Sequence, residues 1–69
     1  MIVDSVALRH EMIRQKIGVN ALGRLAGIQA SSVSRMSRAD CHVQAPNIGK
    51  LAEALSVEPE RLLKTTTTN

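Results

Sequence analysis

Val19 to Met36 reads Val-Asn-Ala-Leu-Gly-Arg-Leu-Ala-Gly-Ile-Gln-Ala-Ser-Ser-Val-Ser-Arg-Met, and the fold turns on how this run is divided. Leu22, Gly23 and Ala26 share one helical face, Gly27 breaks the run, Ile28 follows as an apolar turn residue, and Val33 with Met36 resumes an i, i+3 face. Two helices that cross at roughly 90 to 120° through a turn of about 3 or 4 residues bring their backbones together, so the crossing tolerates only a very small side chain. Gly23 supplies it. Gly27 falls where the first helix must end and the chain reverse, a position that commonly takes the left-handed conformation. Gln29 or Ser31 can cap the helix that follows.

The non-core positions of that second helix are Ala30, Ser31, Ser32, Ser34, Arg35 and Ser37. A solubilising surface helix alternates Glu with Lys, whereas this face is small, cationic and free of acid. Such a face can approach a polyanion closely, as a helix lying in the major groove of DNA must.

The block from Ile17 to Met36, with Leu22-Gly23, Ala26-Gly27-Ile28 and Ser32-Val33-Ser34-Arg35-Met36, resembles the Cro/Xre family of phage-repressor-like helix-turn-helix proteins. Downstream, Pro46 to Val57 and Glu60-Arg61-Leu62-Leu63 are similar to the last two helices of the same family, so the resemblance spans about residues 8 to 64. It implies an all-α, lambda-repressor-like bundle of about five short helices over residues 1–64; residues 65–69, a polar β-branched run with nothing to bury, are expected to be a disordered tail. The resemblance also implies base contacts from the N-terminal end of the recognition helix and from the position two after its buried Val or Ile. Carried onto this chain, those are Gln29, Ala30, Ser31, Ser34 and Arg35. Arg35 suits bidentate contact with guanine O6 and N7, worth roughly 1 to 3 kcal/mol of discrimination, and equally suits clamping a phosphate. Ala30 has no hydrogen-bonding group and offers at most contact with a thymine methyl. The serines can bond to base edges or phosphates, or cap the helix locally. Few long polar side chains leave affinity leaning on phosphates and DNA shape.

Phosphate contacts are expected from Asn20, Arg24, Ser32 and Arg38. Family members open their second helix with a polar residue that binds a phosphate, and Asn20 is the substitute here, able also to cap that helix. Arg24 projects from the apolar face as a phosphate contact or a solvated base. After the recognition helix the family often has Glu-Asn-Gly, where this chain has Ser37-Arg38-Ala39. Losing the acid and gaining Arg38 strengthens phosphate contact, and without its terminal glycine the helix is expected to run longer or finish at Asp40.

Composition agrees. Sixty-nine residues with no Phe, Tyr or Trp allow one small domain, burying only about 60% of its unfolded surface, with a core of Leu, Ile, Val, Met and Ala. The net charge of +3 is unevenly spread: Arg9 to Arg38 holds six bases against Glu11 alone, whereas from Ala39 onward three bases meet four acids. The basic half contains the two-helix motif, the footprint of a surface that neutralises phosphates.

The first helix is expected within Met1 to Lys16, starting near Asp4 or Ser5, either of which can cap it. Its buried stripe is either Val6, Arg9, Ile13 and Ile17 or Leu8, Met12 and Ile13. Ser37 to Ala45 reads as a loop. Pro46 then sits in the first turn of a helix whose Ile48, Leu51, Ala52 and Leu55 form a buried stripe, and Glu58-Pro59-Glu60 opens a short fifth helix.

One cysteine excludes an internal disulfide, and no apolar stretch suits a membrane span or signal peptide, leaving a reducing cytoplasm as the expected compartment. Cys41 and His42, with His10 distant, lack metal-ligand spacing, so no metal and no cofactor are expected. Nor is there a local signature of nucleophilic catalysis, or chain enough for a sizeable pocket, so the reading is not an enzyme and has no small-molecule substrate. The expected partners are double-stranded DNA and a second copy of the chain, since half-sites about 34 Å apart multiply a weak monomer contact. Leu55, Leu62 and Leu63 are the candidate dimer interface or, alternatively, all part of the core. Alternatives are a protein-interaction module, such as an antitoxin or adaptor, and the DNA-targeting domain of a larger enzyme.

Overall fold

The computed structural model describes residues 1–64 and orders them as strand β1 (Ile2–Val3), helices α1 (Ser5–Gln15), α2 (Val19–Ala26) and α3 (Ala30–Arg38), strand β2 (Cys41–His42), helix α4 (Ala45–Leu55) and a 3₁₀ turn (Pro59–Leu62). The fifth helix expected from the sequence is thus this single 3₁₀ turn, and the expected tail, Thr65 to Asn69, lies outside the described residues.

Asp4 caps α1, its Oδ1 accepting from the amides of Val6 and Ala7 at 3.1 and 3.2 Å. That cap and the strand before it settle the helix's rotation. Val3 is fully buried, and with the chain entering from it, α1 turns Ser5, Leu8, Glu11 and Met12 inward. Of the two stripes open in the sequence, the one with Leu8 and Met12 is realised, but Ile13, expected in both, is 70% exposed, and Val6 is exposed too. Gly18, in extended conformation, holds the cap position of α2 with no side-chain bond, so Asn20 does not cap that helix. Gln29 holds the corresponding position of α3, also without a side-chain bond.

Leu22, Val33, Ile48, Leu51, Leu55 and Leu62 are buried in one core joining all four helices and the 3₁₀ turn. The expected α4 stripe, Ile48, Leu51, Ala52 and Leu55, is buried as a unit. Leu55 and Leu62 are fully enclosed and Leu63 half-buried, so the leucines expected at a dimer interface are spent on the core. Among the described residues twelve apolar side chains are buried, none of them aromatic.

The residues read as loop between the recognition helix and α4 contain β2, and the residues before Asp4 contain β1. The two pair antiparallel, Ile2 opposite His42 and Val3 opposite Cys41. Leu63 bridges to Val3 on the other side, Lys64 donates to the Ile2 carbonyl at 2.8 Å, and Val43 donates to that of Met1 at 2.8 Å. The first residues of the chain are therefore held on one side by the connector after α3 and on the other by Leu63 and Lys64.

Candidate nucleic-acid interface

At the α2–α3 crossing the need for glycine is steric. A Cβ on Gly23 would lie 2.6 Å from the carbonyl oxygen of Ile28 and 3.3 Å from the amide nitrogen of Ala30, both backbone atoms. Gly27 is needed for a different reason: nothing lies within 4 Å of a Cβ there, but its φ of 71° is left-handed. The Ile28 amide then donates back to Gly23 at 2.9 Å, closing the end of α2 and launching α3 across it.

Val33, Met36 and Ser37 hold α3 against the bundle. Ser37 was expected on the outer face, but it is buried with its Oγ donating to the Ser34 carbonyl at 2.9 Å. A hydroxyl in the last turn of a helix can satisfy itself by bonding one turn back, which lets a polar residue face the core. The opposite side of α3 carries Ser31, Arg35 and Arg38, all exposed, with Ser34 half-buried beside them. These four fall at i, i+3, i+4 and i+7, one continuous stripe. Ser32 sits on one flank and is half-buried. It lines a cleft with Arg35, His42, Gln44 and Asn47. On the other flank Asn20, Arg24, Gln29 and Ala30 line a second hollow around the turn. The nine residues singled out from the sequence thus lie along α3 and one side of it.

His42, Gln44 and Asn47 were not singled out. They join the surface because β2 pairs with β1 and brings the connector alongside α3, a pairing of residues about forty positions apart that no local pattern announces. Cys41 is half-buried and His42 exposed on the two-residue strand. Among the described residues no three His, Cys, Asp or Glu side chains gather as metal ligands would.

The charge of this face is uncompensated. Glu11, the one acid of the basic half, is held by Arg14 and by Gln15 Nε2 at 3.1 Å. Hydrogen bonds from Arg14 and then Gln15 keep its carboxyl below the ordinary carboxylate range. Gln15 also donates to the Leu55 carbonyl at 2.7 Å, fastening α1 to the end of α4. Asp40, two residues past α3, accepts from the Ser5 amide and Oγ, both at 2.9 Å, and pairs with Lys64 at 2.7 Å. Lys64 first, and Ser5 after it, lower its pKa to about 2. Among the described residues the ion pairs are Arg14–Glu11 and Lys64–Asp40, so Arg24, Arg35 and Arg38 face outward with no carboxylate against them.

Residues 7–68 match the family model of the Cro/C1-type HTH DNA-binding domain. The chain belongs to that family. Among solved structures, this Cro/C1-type domain is similar to the restriction-modification controller protein C.AhdI from Aeromonas hydrophila, at 32% identity and a TM-score of 0.79, over 86% of this chain and 89% of that one. It is also similar to part of a hydroxyethylphosphonate dioxygenase, at 30% identity and a TM-score of 0.83, with all of this chain covered. Native PhpD with cadmium matches at 30% identity and a TM-score of 0.82. The chain spans 15% of the length of those two. No curated protein matches it. No helix among the described residues is long and apolar enough to cross a membrane.

Proposed function

We propose that this Cro/C1-type domain is a sequence-specific double-stranded DNA-binding transcriptional regulator, a repressor of prokaryotic or phage type, acting in the cytoplasm as a dimer on a palindromic operator. The observation that carries this reading is the outward stripe of α3: Ser31, Ser34, Arg35 and Arg38, short and cationic, with no acid on it, and exposed at Ser31, Arg35 and Arg38 among the described residues. A major groove about 12 Å wide admits such a helix. Arg35 and Ser31 then stand toward base edges, with Gln29, Ala30 and Ser34 beside them. Arg38, Ser32, Arg24 and Asn20 reach phosphates on the two sides, joined by His42, Gln44 and Asn47. Repression follows from occupancy, since a duplex covered by the protein is closed to polymerase.

Similarity to a controller protein over most of both chains supports the regulatory reading. With Leu55 and Leu62 enclosed, a dimer must use other surface, and the exposed large hydrophobics are Met1, Val6, Ile13 and Leu25. The dioxygenase likeness favours a second reading, in which a chain of this fold is one segment of a larger enzyme. A selection of random duplexes with wild type and Arg35→Ala separates the cases. The regulator reading expects an enriched palindrome that changes at one position per half-site with Arg35→Ala. No enrichment over the input pool refutes it, and an unchanged motif refutes base reading by Arg35.

A further inference from the structure

Three of the four α-helices end the same way. Lys16, Gly27 and Ser56 turn left-handed after α1, α2 and α4. In each case the next amide reaches back five residues: Ile17 to Met12, Ile28 to Gly23, Val57 to Ala52. This closure satisfies carbonyls that a helix end leaves bare. Helix α3 has no such closure. Ala39 is fully extended, with φ of −152° and ψ of 145°, and the chain runs straight on into Asp40 and β2.

In place of a wrapped cap, α3 is gripped from the side by α1. Arg9 Nη1 donates to the Ser37 carbonyl at 2.8 Å, a cation on the end of a helix where the dipole favours one. One turn earlier on α1, the amide and Oγ of Ser5 hold the Asp40 carboxylate. Ser5 and Arg9 are i and i+4 and share one face of α1, so a single face of that helix holds the exit of α3 at two points. The last turn so held is the one carrying Arg35 and Arg38.

We infer that Arg9 is a positioning residue for the recognition helix: its guanidinium stands in for the missing left-handed cap of α3 and sets where Arg38 meets the duplex. This rests on the DNA-binding reading above, but the clamp itself can be tested without DNA. Amide hydrogen exchange, followed by NMR on the free 69-residue chain, is compared for wild type, Arg9→Met and Arg9→Lys. A lost hydrogen bond from a charged donor should speed exchange of the Arg38 and Ala39 amides by about tenfold in Arg9→Met, while Leu51 and Ala52 in α4 keep their rates, and Arg9→Lys should fall between. Unchanged rates at the end of α3, or equal acceleration everywhere, would overturn the clamp.

Binding to a labelled mixed-sequence duplex then tests its purpose through a double-mutant cycle with Arg38→Ala. A positioning role expects Arg9→Met to weaken binding severalfold in the wild-type background and hardly at all once Arg38 is gone. Independent, multiplying losses would show Arg9 touching phosphate on its own account and overturn the positioning role, as would no loss at all. A wild type that binds no duplex would instead sink the DNA reading, and the purpose of the clamp with it, whatever exchange reports.

Discussion

Replacing Gly23 by Ala, a favourable change in most helices, should destabilise this one. The added methyl would stand 2.6 Å from the Ile28 carbonyl oxygen, and reaching ordinary contact beyond 3.4 Å requires the α2–α3 crossing to open by about 0.8 Å. Because the obstructing atoms are backbone of the turn and of the first residue of α3, no rotamer change relieves the contact. Overpacking of this kind costs about 1 to 3 kcal/mol, and a rigid backbone obstacle places it near the top. Ala returns about 1 kcal/mol in helix propensity. The net loss is about 2 kcal/mol, a fall in Tm of about 8 to 16 °C for a domain of this size. Gly49 provides the control, since it also lies within a helix, is exposed and has nothing within 4 Å of a Cβ. Gly49→Ala should gain up to about 1 kcal/mol. Thermal unfolding followed by far-UV circular dichroism reads both. If Gly23→Ala raises Tm as Gly49→Ala does, the close crossing is not what selects glycine, and the rigid placement of α3 loses its basis.

Gly27→Ala should cost about 1 kcal/mol through its positive φ alone, with Gly27→Asn milder and Gly27→Val worse, in the same melts. Asp40 makes acid stability specific: its carboxyl titrates near 2 in the folded chain against an ordinary 3.8, so between those values the unfolded chain takes up a proton that the folded one refuses. Its contribution is complete above pH of about 4 and is lost as pH falls toward about 2. Urea midpoints across that window should fall for wild type, and Asp40→Asn should remove this part of the slope. Leu55→Ala should cost about 2 to 5 kcal/mol, much of the roughly 3 to 10 kcal/mol available to such a chain, and appear as loss of helical signal at all concentrations, not as dissociation of a folded dimer. Arg24→Ala and Arg38→Ala should each reduce the slope of log affinity against log salt by about 0.9 if each neutralises one phosphate.

The helix-turn-helix and the α4 stripe were legible along the chain, and the α1 cap was narrowed to Asp4 or Ser5, because each depends on residues within about one or two turns of one another. Spacing alone places Leu22, Gly23 and Ala26 on one face, and Gly27 announces its own backbone conformation. Ser31, Ser34 and Arg35 were placed on the outer face for the same reason, Arg38 came from the comparison with the family's Glu-Asn-Gly, and Ser37 was misplaced because its self-satisfied hydroxyl allows it to point inward. Tertiary structure decided the rest. Which face of α1 turns inward could not be read from its scattered apolar residues, for it follows from Val3 pairing with Cys41 and Leu63, contacts 38 and 60 positions away. The same pairing draws His42, Gln44 and Asn47 beside α3, encloses Leu62, and leaves Arg9 and Ser5 to hold a helix end that has no left-handed closure. Local periodicity carries information about neighbours one turn away; which distant carbonyl an arginine finds is settled only when the chain has closed on itself.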